Sequence, residues 1–442
     1  MSQLGKSSGT GGPPVRLGDI AKARMGKTIL SKELTEAGVP VYSAGRDNEP
    51  WGYVPSSDLL FGEETIVIAA RGNIGFPRVP RITPFVSTQT TIAISFKDSR
   101  HVPYLRYQLE TVNWPGMTSQ TTIPMVTVRQ VEGIEVRLPH LDEQRRIVAE
   151  IEKQFTRLEA GVAALRRVQA NLKRYRAAVL KAACEGRLVA TEAELSRSQP
   201  STKNSQPAYE PGEQLLKRIL TERRQNWQGR GKYKEPTALE TTNLPTLPES
   251  WTWATVEQLG RIETGSTPPK AEAANYGDEV PLVKPGELLD HPVAEAADNL
   301  TRQGASVATT APANSVLVSC IGNLGKTALT VREVAFNQQI NAIIPTLTTT
   351  ARWIFYTVQQ GAFRQQLESV ASATTISIVN KSKFSALIIP LPPLAEQARI
   401  VAEVERRLSV VAELESVVTA NLQRATRLRQ SILQKAFTGQ LA

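Results

Sequence analysis

Two stretches of the chain carry apolar residues spaced by threes and fours over unusual lengths. Ile151, Phe155, Leu158, Val162, Leu165, Val168, Leu172, Tyr175 and Val179 form one series. Val404, Leu408, Val411, Val418, Leu422, Ala425, Leu428 and Ile432 form the other, with a gap at Glu415. Such spacing keeps an apolar stripe on one side of an α-helix. No proline interrupts either stretch, so each predicts a continuous helix of about 40 residues, roughly 60 Å long. Gly186 and Gly439 stand where a glycine C-cap would end each helix. Two stripes of this length are most simply covered by pairing the helices as an antiparallel coiled coil. The other arrangement packs each helix into its own domain.

The remaining apolar runs are short and rich in β-branched residues. They predict strands at Thr65–Ala69, Thr91–Phe96, Ile134–Leu138, Ser315–Ser319, Ala342–Ile344 and Leu387–Ile389. Short helices are expected at Tyr104–Leu109 and Trp353–Gln360. A basic amphipathic helix is expected from Glu213 to Trp227, after a polar Pro/Ser-rich linker at 191–211. The bodies between the long helices therefore read as mixed α+β.

The pattern repeats. Residues 138–152 read LPHLDEQRRIVAEIE and residues 391–405 read LPPLAEQARIVAEVE, identical at 11 of 15 positions at an offset of 253. The match runs on without a gap, so that Leu180, Ala183, Gly186 and Leu188 fall on Leu433, Ala436, Gly439 and Leu441. Upstream it thins. At an offset of 250, GNIG at 72–75 falls on GNLG at 322–325, and Gln89 falls on Gln339. Leu17-Gly18 resembles Leu259-Gly260. Each half is thus a divergent body followed by a well-matched helix, which suggests one task performed on two targets.

Charge narrows the task. Lys and Arg outnumber Asp and Glu by 52 to 42, a formal net charge of +10 over 442 residues. That excess suits a polyanionic partner, nucleic acid first, although a basic surface also serves solubility. A cluster late in the first helix (Arg166, Arg167, Lys173, Arg174, Arg176, Lys181) reads as a solvated face or as a surface near DNA. No apolar run spans a membrane, and residues 1–14 read as a flexible leader without the apolar core of a signal peptide. Cys184, Cys320 and the three histidines offer no zinc spacing. A reduced, cytoplasmic protein without structural metal is expected. Catalytic signatures are missing: there is no GxGxxG, no GxSxG, and no Asn- or Asp-Pro-Pro-aromatic motif. GNLGKT at 322–327 imitates the end of a phosphate-binding loop, but Cys320 stands where the first glycine belongs, and a strand turn is the better reading. The sequence points to binding rather than catalysis.

These features resemble the specificity subunits of type I restriction–modification enzymes. The residues that carry the resemblance are LPxLxEQxRIVAE at 138–150 and 391–403, the helices behind them, and the endings GRL at 186–188 and GQL at 439–441. In the second half, LPESWTW at 247–253, TGSTP at 264–268, VKPG at 283–286 and the connector 215–234 extend it. The first body has RMGKT at 24–28 where the second has TGSTP. The resemblance implies a leader (1–14), a first target-recognition domain (15–140), a spacer helix (141–189), a linker with a basic helix (190–247), a second recognition domain (248–393) and a second spacer helix (394–442). It implies a non-catalytic chain that reads a bipartite, asymmetric double-stranded DNA target. It also implies two modification (methyltransferase) subunits and motor–nuclease restriction subunits as partners. S-adenosylmethionine, ATP and Mg would then act in those partners, and this chain would bind no cofactor. Side chains with donors suited to base edges and phosphates give the candidate DNA contacts: Arg71, Asn73, Arg78, Arg81, Ser119 and Gln120 in the first body, and Thr267, Lys270, Asn323, Lys326, Ser372 and Lys381 in the second. The alternative reading is a structural coiled-coil adaptor that binds only proteins.

Overall fold

The structure is a computed structural model, described for residues 12–45, 48–118, 124–198, 209–227, 231–242, 244–372 and 376–441. It divides into two compact units, Met1–Val168 with Val417–Ala442, and Gln169–Ser416. Each unit holds one mixed α/β body, the near part of one long helix and the far part of the other. The long helices run Leu141–Cys184 and Leu394–Phe437, 44 residues each.

In the first unit, a four-stranded antiparallel sheet orders Ala21–Met25, Thr91–Phe96, Thr65–Ala69 and Gly75–Arg78. A three-stranded sheet orders Gly52–Val54, Val39–Tyr42 and Val86–Ser87, the last pair parallel. The second unit repeats the plan. Gly260–Thr264, Ile340–Pro345, Val316–Ser319 and Thr327–Thr330 form the larger sheet, to which His291–Val293 adds a parallel edge. Asn299–Leu300, Tyr276–Val283, Val334–Phe336 and Thr310–Ala311 form the smaller. The central strands Thr65–Ala69 and Val316–Ser319 are buried at every position, as continuous runs of β-branched and small residues require. Two-stranded ribbons close each body: Pro14–Arg16 pairs with Glu135–Arg137, and Thr252–Thr255 with Ile388–Leu391. Pro14 is therefore a strand residue, so the leader expected through residue 14 is one residue too long.

Short elements follow the sequence closely. Helices Val102–Leu109 and Ala351–Val358 lie where expected. The connector helix runs Gly212–Gln225 and buries Leu215 and Ile219 in the core of the second body, so this part of the linker belongs to that body. The helix Gly361–Val370 was not expected.

Within the first unit, Ile151 and Phe155 of the first long helix pack on Ile432, Leu433 and Ala436 of the second, beside Tyr107 of the body. Within the second unit, Val179, Leu180, Ala183 and Cys184 pack with Ile400, Val404, Leu408, Trp251 and Trp353. The stripes are not covered throughout. Val168, Tyr175 and Leu428 are exposed, and a groove of about 820 Å³ in the first unit is lined by Leu158, Val162, Leu165, Ala425, Leu428 and others.

Both helices end on a glycine in the left-handed region, at φ +67° for Gly186 and +76° for Gly439. Arg187 N donates to Ala182 O and Gln440 N to Lys435 O, both at 2.9 Å, the bond from the residue after the glycine that a Schellman motif uses at each helix end. Cys184 and Cys320 are buried free thiols, each pushed up to about 12 by burial. Among the described residues, no helix is long and apolar enough to cross a membrane.

Candidate nucleic-acid interface

The two bodies build the same loop edge from unlike sequences. After its first sheet strand, each chain segment turns on a glycine pressed against carbonyl oxygens. A Cβ on Gly26 would sit 2.0 Å from Ser87 O, and one on Gly265 would sit 2.1 Å from Asn337 O. Gly26 N donates to Thr91 O at 3.2 Å, and Gly265 N to Ile340 O at 3.1 Å. Two residues on, Thr28 Oγ1 donates to Gln89 Oε1 at 2.7 Å, and Thr267 Oγ1 to Gln338 Oε1 at 3.3 Å. Behind them, Ala70 N donates to Thr90 O and Cys320 N to Gln339 O. Met25-Gly26-Lys27-Thr28 therefore forms the turn that Thr264-Gly265-Ser266-Thr267 forms.

These bonds correct the sequence repeat in two places. Gln89 matches Gln338, not Gln339, because the strand beside it follows an offset of 249 while the strand before the turn follows 250. Near the start, Ala21 pairs with Phe96 as Gly260 pairs with Pro345. The match there is Ala21 with Gly260, and Leu17-Gly18 does not fall on Leu259-Gly260. Thin identity in an apolar context had concealed a three-residue slip.

Next to this loop lie the GNIG and GNLG turns. Gly72 and Gly75 have φ of +73° and +84°; Gly322 and Gly325 have +75° and +77°. Gly72 and Gly322 have open space where a side chain would project, so backbone conformation alone demands glycine there. Each turn is tied to a later segment by an isolated bridge, Arg71 to Met125 and Ile321 to Ile378. The phosphate-loop imitation is a strand turn: Ser319 Oγ donates to Asn323 O at 2.6 Å and accepts from Lys326 N at 2.9 Å.

The candidate contacts divide between places. Arg71 is exposed, with Nη2 3.7 Å from Met125 Sδ, and lines a cavity of about 590 Å³ with Ser43, Glu49, Trp51 and Thr90. Asn73 is exposed beside it and donates to Ala44 O at 3.4 Å. Arg78 departs from expectation. It is 4% exposed, and its guanidinium donates to Ser43 O, so it braces the floor of the body instead of standing at the surface. Arg81 is exposed and lines a different cavity, with Phe76, Arg106 and Tyr107. Ser119 and Gln120 lie outside the described residues.

In the second body, Thr267 is committed to Gln338, Lys270 and Asn323 are exposed, and Lys326 is half-buried. Ser372 Oγ accepts from Lys383 Nζ at 2.8 Å, which brings in a lysine that the sequence reading missed. Lys381 pairs with Glu263 at 3.1 Å, which offsets its charge.

Where the bodies differ is equally instructive. Backbone registers match Ser43 with Lys284, Arg71 with Ile321 and Thr90 with Gln339. The first body carries a hydroxyl cluster, Thr88 to Thr90 at 2.8 Å and Ser43 to Thr90 at 3.3 Å. The second carries a lysine paired with Asp298. One edge thus presents a shared frame with unlike donors and acceptors set in it. Among the described residues, no group of three or more His, Cys, Asp or Glu is placed to hold a metal ion.

Known proteins share this organisation. A family profile described as the type I restriction modification DNA specificity domain matches residues 13–164 and again residues 248–416. The chain is similar to the type I restriction enzyme EcoDI specificity subunit of Escherichia coli, 23% identical over 432 residues, which are 97% of this chain and 88% of that protein. The HindI specificity subunit of Haemophilus influenzae is 29% identical over 204 residues, 44% of this chain and 42% of that protein. A solved chain of a type I R-M system has the same fold, with a TM-score of 0.62 at 20% identity over 97% of this chain and 98% of that one. Two copies of one domain, in the two bodies built on one plan, are what the profile and the geometry have in common: the chain belongs to the type I restriction modification DNA specificity family.

Proposed function

We propose that each body reads one part of a split, asymmetric DNA target and that the long helices pair as an antiparallel coiled coil setting the distance between the two parts. The chain is a non-catalytic specificity subunit of a type I restriction–modification complex, which binds DNA and assembles with other subunits. The observation that carries the reading is the repeated edge with divergent side chains. A common frame with Ser43, Arg71 and Thr90 in one copy and Lys284, Ile321 and Gln339 in the other suits two readers of different base edges. Arg71, Asn73 and Arg81 in the first body are the base- or phosphate-contacting residues proposed there, together with Ser119 and Gln120 on sequence grounds. Lys270, Asn323, Lys326, Ser372 and Lys381 are those of the second, where Thr267 serves by holding Gln338.

Two modification subunits dock on the chain, and the apolar groove lined by Leu158, Val162, Leu165 and Leu428 is the kind of surface a partner helix fills. Motor–nuclease subunits join them for cleavage. S-adenosylmethionine, ATP and Mg belong to those partners, this chain binds no cofactor, and the complex works in the cytoplasm.

The test is exchange of one body. Replacing residues 14–137, closed by its own ribbon, with the first body of a relative changes one half of the methylated sequence and leaves the other half as it was. Methylome sequencing of cells with the cognate modification subunit reads the result. Both halves changing together would defeat the division of labour. An adaptor that binds only proteins would give no salt-sensitive DNA affinity at all.

A further inference from the structure

The Thr28–Gln89 and Thr267–Gln338 pairs are the side-chain bonds that the two bodies reproduce at the loop edge despite unlike sequence around them. Both glutamines are exposed. In each, the amide oxygen accepts from a threonine hydroxyl, at 2.7 Å in the first body and 3.3 Å in the second, which restrains the side chain. Among the described residues, neither Nε2 has a partner. The amide N–H groups thus face away from the threonine at the surface, beside the glycine turn in both bodies. A side chain held in advance loses less freedom when it binds.

We infer that Gln89 and Gln338 donate from Nε2 to phosphate oxygens of the DNA backbone, anchoring each body in the same way whatever bases it reads. The inference rests on the proposed DNA-reading function and names a contact within it. The reason for phosphate over base is the comparison between bodies. Residues that differ at matched positions (Ser43 and Lys284, Arg71 and Ile321) can distinguish two sequences. A contact kept identical cannot, and the part of a duplex common to every sequence is its backbone. Amide side chains are ordinary donors to phosphate. Thr28 and Thr267 are then positioning residues, acting through the glutamine that each holds.

The test uses the full chain and an arbitrary duplex of about 40 base pairs, with affinity measured across a salt series. Gln89→Ala and Gln338→Ala each weaken binding roughly 3- to 10-fold, the loss of about one solvent-exposed hydrogen bond. Thr28→Val and Thr267→Val weaken it less, in the same direction, with the thermal unfolding midpoint unchanged. In cells with the modification subunits, the methylated sequence stays the same in all four variants. A change of bases at one half-site would make the glutamine a base reader and overturn the inference. Unchanged affinity with a lowered unfolding midpoint would make the pair a mere loop lock and overturn it equally. If the unaltered chain binds no duplex, the DNA-reading function itself fails, and that outcome is distinguishable because it appears before any substitution.

Discussion

Glu396 is the residue on which most of the second unit's joinery meets. It belongs to the repeated LPxLxEQ segment, is fully buried, and accepts from Trp251 Nε1 at 2.8 Å and Glu192 N at 2.9 Å, with Ser250 Oγ at 3.4 Å. It thereby ties the helix start to the residues after the first long helix and to the entrance of the second body. Burial pushes its carboxyl above the usual carboxylate range, against the lowering pull of the Glu192 N–H, Trp251 and Arg399. Glu396→Ala would strand the Trp251 and Glu192 donors away from water and cost about 2–4 kcal/mol, measurable by denaturant unfolding. The raised pKa has a defined sign. The folded chain holds this proton more tightly than the unfolded chain does. Its stabilising contribution is therefore present at low pH and is lost as pH rises from about 4 through the raised value. Glu396→Gln cannot titrate, so the stability of the native chain relative to this variant falls as pH rises from about 4 through the raised pKa. A constant difference would show that burial does not govern the group. The repeat's own copy, Glu143, is only half-buried, which shows how one motif position takes on unlike work in each half.

At the scale of elements, the long helices make the sharpest prediction. Inserting four residues after Leu165 adds about 6 Å and turns everything beyond by roughly 40°. If the helices set the spacing of the target, the methylated sequence gains an altered spacer or methylation is lost, while both bodies still resist limited proteolysis. An unchanged sequence with unchanged activity would remove the helices from that role.

These helices were legible in the sequence because a 3.6-residue period over about eight turns has no competing explanation. Thr65–Ala69 and Thr91–Phe96 were legible to the residue, as β-branched runs between Gly, Asp and Thr-rich boundaries. Tyr276–Val283 was not, since YGDEVPLV carries two acids in its exposed half and a proline in its buried half. The site was harder still. Gly26, Thr28 and Gln89 meet only through the fold, and the match of Gln89 to Gln338 needed hydrogen bonds to correct a one-residue offset. Arg78 looked like any basic residue by a glycine turn, and nothing in its neighbours signalled that its guanidinium reaches inward to Ser43 O.

At the scale of the whole molecule, the repeat makes half a chain nearly self-sufficient. In the first unit, Ile432, Leu433 and Ala436 cover Ile151 and Phe155, and the Phe437 ring meets Tyr104 edge-on at 5.4 Å. At the repeat offset, these four residues correspond to Val179, Leu180, Ala183 and Cys184. Residues 1–190 expressed alone contain that substitute set, so a second copy can supply the missing cover with two-fold symmetry. Sedimentation at micromolar concentration is expected to give a dimer, weaker than the native packing because Cys184 replaces the Phe437 ring. A folded monomer would refute this. With modification subunits, such a dimer would direct methylation to a palindromic interrupted site.

The ribbons have a consequence in heredity. Because Pro14–Arg16 lies against Glu135–Arg137, and Thr252–Thr255 against Ile388–Leu391, each body begins and ends at one point. A gene crossover at those points cuts no sheet; it lifts out the first body entire, while the second also needs its connector helix Gly212–Gln225, and the coding segments for the repeated LPxLxEQxRIVAE offer a matched place for strands to exchange. If each body reads one half of the target as proposed, a lineage can then acquire a new half-target in one recombination event, without passing through a chain that fails to fold.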